Sequence, residues 1–177
     1  SGPCFSGHGT SQWGGSIPDA DLPAGFPLKS TDTLKQMTFC GWLVQQYWYV
    51  GGGTILGKGS NGVPNTRFRI YLDPTTYELQ IWWGTGVATV TYQTGIILTK
   101  YYAYHVGVAI DGVNKTIHVR VCENLTGDIF TYDETPAATL AVNSYDFAIG
   151  ALQPSGDVFN GWLDQIAIFN RILTDTE

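Results

Sequence analysis

Two places in the sequence bring together residue types that could do chemistry at a surface. Arg67, Arg69 and Tyr71 share one face of an alternating run, and Glu78, Gln80 and Trp82 share one face of the next. An indole surrounded by guanidinium, carboxylate and amide groups can hold a sugar ring, through CH–π stacking on the ring face and hydrogen bonds to hydroxyls. The second place is the stretch FNGWLDQIAIFNRILT, Phe159 to Thr174. Its hydrophobic alternation has one parity at Leu163 and the other at Ile166 and Ile168. All three point inward only if the strand slips by one residue near Asp164-Gln165, which sets Asp164 on irregular backbone.

Catalytic constellations are harder to find. Glycoside hydrolysis uses two carboxylates facing one bond, but Asp128, Asp133 and Glu134 surround a loop, Glu78 is the sole carboxylate of its run and Asp164 stands alone in its strand. His8, His105 and His118 fall in separate segments, and no Ser sits in a G-x-S-x-G turn. The chemistry expected is therefore binding without catalysis. For any single ring among the six Trp and ten Tyr, packing in a core or against a neighbouring domain remains the commoner role.

The elements that must position these residues are strands. Turn signals recur at short intervals with runs rich in β-branched and aromatic residues between them, the pattern of an all-β sandwich or barrel. Candidate strands are Cys4 to Ser6, Gln12 to Ile17, Met37 to Tyr49, Thr54 to Leu56, Arg67 to Leu72, Tyr77 to Trp83, Val87 to Gln93, Tyr102 to Ile110, Thr116 to Cys122, Asp128 to Tyr132, Phe147 to Gly150 and Val158 to Phe169. GKGSNGVPN reads as a flexible loop. Asp73-Pro74-Thr75-Thr76 reads as the turn of a hairpin. A register with Leu72 opposite Tyr77 would set Arg69 against Gln80 and Arg67 against Trp82 on the outer surface, a guanidinium over an indole. Thr174 followed by Glu177 matches a capping box and predicts the start of a helix.

At 177 residues the chain suits one well-buried domain over residues 1–177. It starts at Ser1 without Met and stops as the predicted helix begins, so a domain excised from a longer protein is expected. Nine Lys plus Arg against 15 Asp plus Glu give a net charge of -6, which disfavours nucleic acid and anionic membrane surfaces as partners. No apolar run is long enough for membrane insertion as a helix. Cys4, Cys40 and Cys122 are too few for a disulfide scaffold; one bridge with one free thiol and three thiols both remain open. Asn114-Lys115-Thr116 and Asn124-Leu125-Thr126 are glycosylation sequons, meaningful in a secreted eukaryotic setting.

Five segments in order, MTFCGWLV, TILGKGS, YAYHVGVAIDGVNKTIHVRV, DFAIGAL and FNGWLDQIAIFNRIL, resemble the strand motifs of laminin-G-like domains of the concanavalin A-like lectin/glucanase superfamily. The resemblance spans roughly residues 37 to 174, with CFSGHG at the start where the family often has F-D-G. It implies an all-β, two-sheet antiparallel jelly-roll sandwich of about a dozen strands. By the same resemblance Trp42 belongs to the core; Trp13 and Trp162 are expected to pack near the strand ends. The superfamily's enzymes carry an E-x-D-x-(x)-E strand that this sequence lacks.

Many family members hold calcium at the rim, and the family Asp maps onto Asp164. Calcium needs six to eight oxygen ligands, and Ser6 stands where the family often has Asp. Asp19 and Asp21 could compensate, or serve only as solvated turn residues. The expectation is a non-catalytic carbohydrate-binding or adhesion module of a larger surface or extracellular protein, calcium being its candidate cofactor. Its partner would be a carbohydrate or glycoprotein surface, at a cell or virion surface. The alternative is a structural or oligomerisation domain of a viral fibre or cell-surface filament, with protein neighbours in an assembly.

Overall fold

A computed structural model describes residues 5–6, 14–46, 53–60, 63–152 and 157–177. Twelve strands form two six-stranded sheets: β1 (Phe5–Ser6), β2 (Gly15–Ile17), β3 (Gln36–Gln45), β4 (Gly53–Ser60), β5 (Val63–Leu72), β6 (Glu78–Gly84), β7 (Thr89–Ile97), β8 (Ala103–Asp111), β9 (Thr116–Glu123), β10 (Ile129–Glu134), β11 (Phe147–Ile149) and β12 (Gly161–Phe169). Sheet I runs β1-β12-β3-β8-β9-β10 and sheet II runs β2-β11-β4-β5-β6-β7. All ladders between these strands are antiparallel. The sandwich expected from the sequence is the fold observed.

Alternation builds the core. In sheet I, Met37, Phe39 and Leu43 of β3, Tyr104, Val106, Val108 and Ile110 of β8 and Ile117, Val119 and Val121 of β9 point inward. Phe68, Ile70 and Leu72 of β5 meet them from sheet II with Leu79, Ile81 and Trp83 of β6. Burying each such side chain contributes about 1.5–3 kcal/mol. The Trp83 indole stays fully buried because its Nε1–H donates to the Ala138 carbonyl at 3.0 Å.

The slip in the closing strand is present. Asp164 pairs with Trp42 but Ala167 pairs with Cys40, so β12 carries one extra residue, and Gln165 takes the left-handed φ of 50°. The β-bulge turns Leu163, Ile166 and Ile168 to the core together.

Three expectations need correction. The described residues of the segment read as a loop after Leu56 are strand: β4 continues to Ser60, with a register shift between Lys58 and Ser60, and β5 begins at Val63. The glycines of GKGS serve close packing, since a Cβ on Gly57 would lie 3.0 Å from Leu152. The β5–β6 register is two residues from that expected, with Leu72 opposite Leu79, Tyr71 opposite Gln80 and Arg69 opposite Trp82. Tyr77, at φ 60°, and the Asp73 carboxylate, which accepts from the amides of Thr75 and Thr76 at 2.8 Å each, make a wider turn than Asp-Pro-Thr-Thr alone.

At the end of the chain Thr174 and Glu177 make one bond of a capping box without a helix: Glu177 Oε2 accepts from the Thr174 amide at 3.2 Å, while the Glu177 amide donates to the Thr174 backbone carbonyl at 3.1 Å and closes a turn. The Thr38 hydroxyl holds this segment on sheet I, donating to the Arg171 carbonyl at 2.7 Å and accepting from the Leu173 amide at 3.0 Å. Cys40 and Cys122 are free thiols. Cys4, His8, Trp13, Tyr47 and Trp48 lie outside the described residues. Among those described, no helix is long and apolar enough to cross a membrane.

Candidate functional site

The outer face of sheet II gathers five of the six predicted ligand residues. Trp82 is the hub. The Arg67 guanidinium lies 4.7 Å from its ring centroid, that of Arg69 5.0 Å, and the Tyr71 ring 5.2 Å at a tilt of 48°. Gln80 Oε1 accepts from the indole Nε1 at 3.3 Å. Glu78 stands apart, its carboxylate accepting from the Gly95 amide at 2.7 Å.

This cluster is not the solvent-facing patch expected. Arg69 is 0% exposed and Gln80 6%. Two residues that follow β11 lie against them: Leu152 presses toward Gly57, and Asp157 accepts from the Arg69 guanidinium at 2.9 Å. Burial, with the Asp157 carboxylate nearby, pushes the Tyr71 phenol up to about 12. A buried guanidinium has to be paired and stacked, and these neighbours do so. The arrangement fixes a loop to a sheet.

The metal candidates are likewise distributed. Asp19, expected in a solvated turn, is buried against β4 of sheet II. Its Oδ1 takes a 2.6 Å ion pair from Lys58 Nζ, and its carboxylate also accepts from the Ser30 amide at 2.9 Å and the Ser30 hydroxyl at 2.5 Å. Burial opposes ionisation of Asp19, but the bonds from Lys58 and Ser30 outweigh it and hold the carboxyl below its ordinary range. Asp21 is exposed. Asp164 lies in sheet I, with Oδ1 accepting from the Gln165 amide at 2.8 Å. Among the described residues no three His, Cys, Asp or Glu side chains converge as metal donors. The three carboxylates stand apart, and the buried one, Asp19, is committed to a lysine.

An open groove lies instead on the outer face of sheet I, where no sugar-binding residue was expected. It has a volume of about 320 Å³ and is lined by Trp42, Val44, Ala103, Asn124, Trp162, Asp164 and Gln165, with Leu43 at its floor. Pairing explains the convergence. Trp162 opposes Val44 and Asp164 opposes Trp42 across β12–β3, and Val44 opposes Ala103 across β3–β8. Trp162 and Trp42 are thus diagonal neighbours, with backbones about 7–8 Å apart. Gly161 permits the close approach of β12 to β3 here, since a Cβ on it would lie 2.2 Å from the Val44 carbonyl. The bulge then aims Asp164 and Gln165 at the same opening.

Trp42, expected in the core, stands on this outer face with its ring 5.3 Å from that of His105, edge to face. Burial holds His105 below its ordinary range, so it is neutral at pH 7. Trp162 is 43% exposed. The signal that could have found both is parity, for each indole sits one residue from an inward-facing leucine, Leu43 and Leu163.

A family model for the concanavalin A-like lectin/glucanases superfamily, of the laminin G type, matches residues 19–177. The chain belongs to this superfamily. No curated protein sequence matches it. Among solved structures it is similar to the enzymatically active domain of tailspike protein 2 of bacteriophage CBA120, with 15% identity and a TM-score of 0.62 over 79% of this chain and 22% of that one. The CBM40 of the Ruminococcus gnavus IT-sialidase, bound to α2,3-sialyllactose, shares 15% identity and a TM-score of 0.64 over 81% of this chain and 80% of that one. Domain 4 of AbnA, a GH43 extracellular arabinanase from Geobacillus stearothermophilus, in complex with arabinotriose, shares 18% identity and a TM-score of 0.55 over 83% of this chain and 66% of that one. At these identities the likeness is one of fold.

Proposed function

We propose that this domain is a non-catalytic carbohydrate-binding module of a larger surface or extracellular protein, and that the groove on sheet I is its binding site. The observation that carries the proposal is the convergence of two indoles with Asn124, Asp164 and Gln165 in one open depression. The indoles offer stacking surfaces, and the two amides and the carboxylate offer the donors and acceptors that fix the orientation of a sugar. Two similar folds were solved with oligosaccharides bound, which supports the ligand class. The same titrations with calcium or with EDTA present test a part for calcium.

Titration calorimetry against a panel of oligosaccharides tests the proposal. Binding at up to millimolar concentration is expected, weakened about tenfold by Trp162→Ala and unchanged by Trp82→Ala. A panel with no ligand at millimolar concentration, or full binding by Trp162→Ala, would sink it.

A second reading, an assembly domain of a fibre or filament, is favoured by the edge strand β10, where Ile129 and Phe130 are exposed beside Leu125. Sedimentation that finds only monomers in both the isolated domain and its parent protein would remove it.

A further inference from the structure

Resting on the assignment of the groove as a saccharide site, we infer that its ligand class is neutral oligosaccharide and that it excludes sialylated and uronic acid glycans. A site for an acidic sugar needs a cation or a set of donors aimed at the carboxylate. Among the described residues lining this groove there is no Lys, Arg or His, and the one formally charged side chain among them is the Asp164 carboxylate.

The neighbourhood gives an acidic sugar no help. His105, beside Trp42, is held neutral by burial. Arg120, farther across the sheet on β9, is occupied by the C-terminal segment, its guanidinium donating to the Asp175 carbonyl at 3.1 Å and lying 3.6 Å from the Asp175 carboxylate. The net charge of -6 adds a repulsive field at long range.

The same carboxylate favours a neutral ligand. Asp164 Oδ1 already accepts from the Gln165 amide, and Oδ2 remains able to accept from a sugar hydroxyl, a charge-assisted bond. Asn124 and Gln165 can donate to further hydroxyls or the ring oxygen. With the indoles on diagonal positions about 7–8 Å apart, the groove suits one or two rings of a chain. A ligand carboxylate in that space would face the Asp164 carboxylate in a partly desolvated site, costing about tenfold or more in affinity.

Titration of the unmodified domain with arabinotriose, lactose and α2,3-sialyllactose, repeated with Asp164→Asn, tests the inference. The last two sugars differ by one acidic residue. The result expected is binding of at least one neutral sugar, with sialyllactose at least tenfold weaker than lactose. Asp164→Asn should narrow that gap, because the amide keeps an acceptor and loses the charge. Sialyllactose binding as tightly as lactose or tighter would overturn the neutral class while leaving the groove a saccharide site. An unchanged gap in Asp164→Asn would overturn the role given to that carboxylate. If no sugar binds at millimolar concentration, both the site assignment and the ligand class fail.

Discussion

The two outer faces of the sandwich hold similar residues in opposite states. On sheet II, Trp82 is boxed by Arg67, Arg69, Tyr71 and Gln80, and the chain around Leu152 and Asp157 closes over them. On sheet I, Trp42 and Trp162 border an open groove whose polar side chains are half-buried or exposed. The difference lies in charge. Sheet II buries a cation on its outer face, Arg69, and that buried cation needs an acidic partner brought from a distant segment, Asp157. The partner arrives with covering chain. Sheet I has no buried cation on its outer face among the described residues, and nothing described there draws a loop over the indoles. Residue type alone thus does not separate a ligand platform from a packing cluster.

The comparison is broken most severely by unpairing a buried charge. Asp19→Ala leaves Lys58 buried without its carboxylate and is expected to cost about 3–5 kcal/mol, read from urea unfolding. Arg69→Leu tests the second anchor. Asp157 is part-exposed and can take up water, so a smaller loss of about 1–3 kcal/mol is expected, with saccharide affinity unchanged. An unfolding midpoint equal to wild type in either variant would show that the pair concerned does not anchor its segment to sheet II.

On the open face the order reverses. Trp162→Ala should lower sugar affinity about tenfold while shifting stability by less than about 1 kcal/mol, because the ring is 43% exposed. Affinity retained with stability lost would make the indole a packing residue like Trp82.

The smallest effect expected concerns the C-terminal segment at the far side of sheet I. His118 sits between two carboxylates, with Nδ1 2.6 Å from Asp133 and Nε2 3.0 Å from Asp175. Burial lowers its pKa, but the two carboxylates outweigh burial and raise it above the ordinary value. A raised folded pKa stabilises the fold fully below the unfolded value of about 6.5, and the gain is lost as pH rises through the folded value. The difference in melting temperature between wild type and His118→Gln should therefore be largest near pH 5.5 and shrink above about pH 7. A difference that grows with pH would contradict the pairing.

Much of the fold was legible because alternation reports burial directly. The change of parity between Leu163 and Ile166 gave the bulge, and the faces of β5 and β6 came out as read, since a register error of two residues leaves every side chain on its own face. The partners were not legible. Tyr77 adopts a positive φ that no local pattern announces, and it moved Arg69 from Gln80 to Trp82.

The site was misread for a related reason. Which of two outer faces stays open depends on contacts such as Asp157 to Arg69, 88 residues apart. Trp42 was assigned to the core from its strand motif, although Thr38, Cys40, Trp42 and Val44 share a parity opposite to Met37, Phe39 and Leu43. At Thr174 the Glu177 carboxylate takes the bond expected of a capping box, but the ties of Arg171 and Leu173 to Thr38 hold the segment against the sheet and no helix follows.

The central claim is that sheet I, and not sheet II, presents the ligand surface. A crystal of the domain soaked in arabinotriose tests it most directly. Sugar density stacked on Trp42 or Trp162, with a hydroxyl within hydrogen-bond distance of Asp164, is the predicted result; density over Trp82 with the groove empty would contradict it.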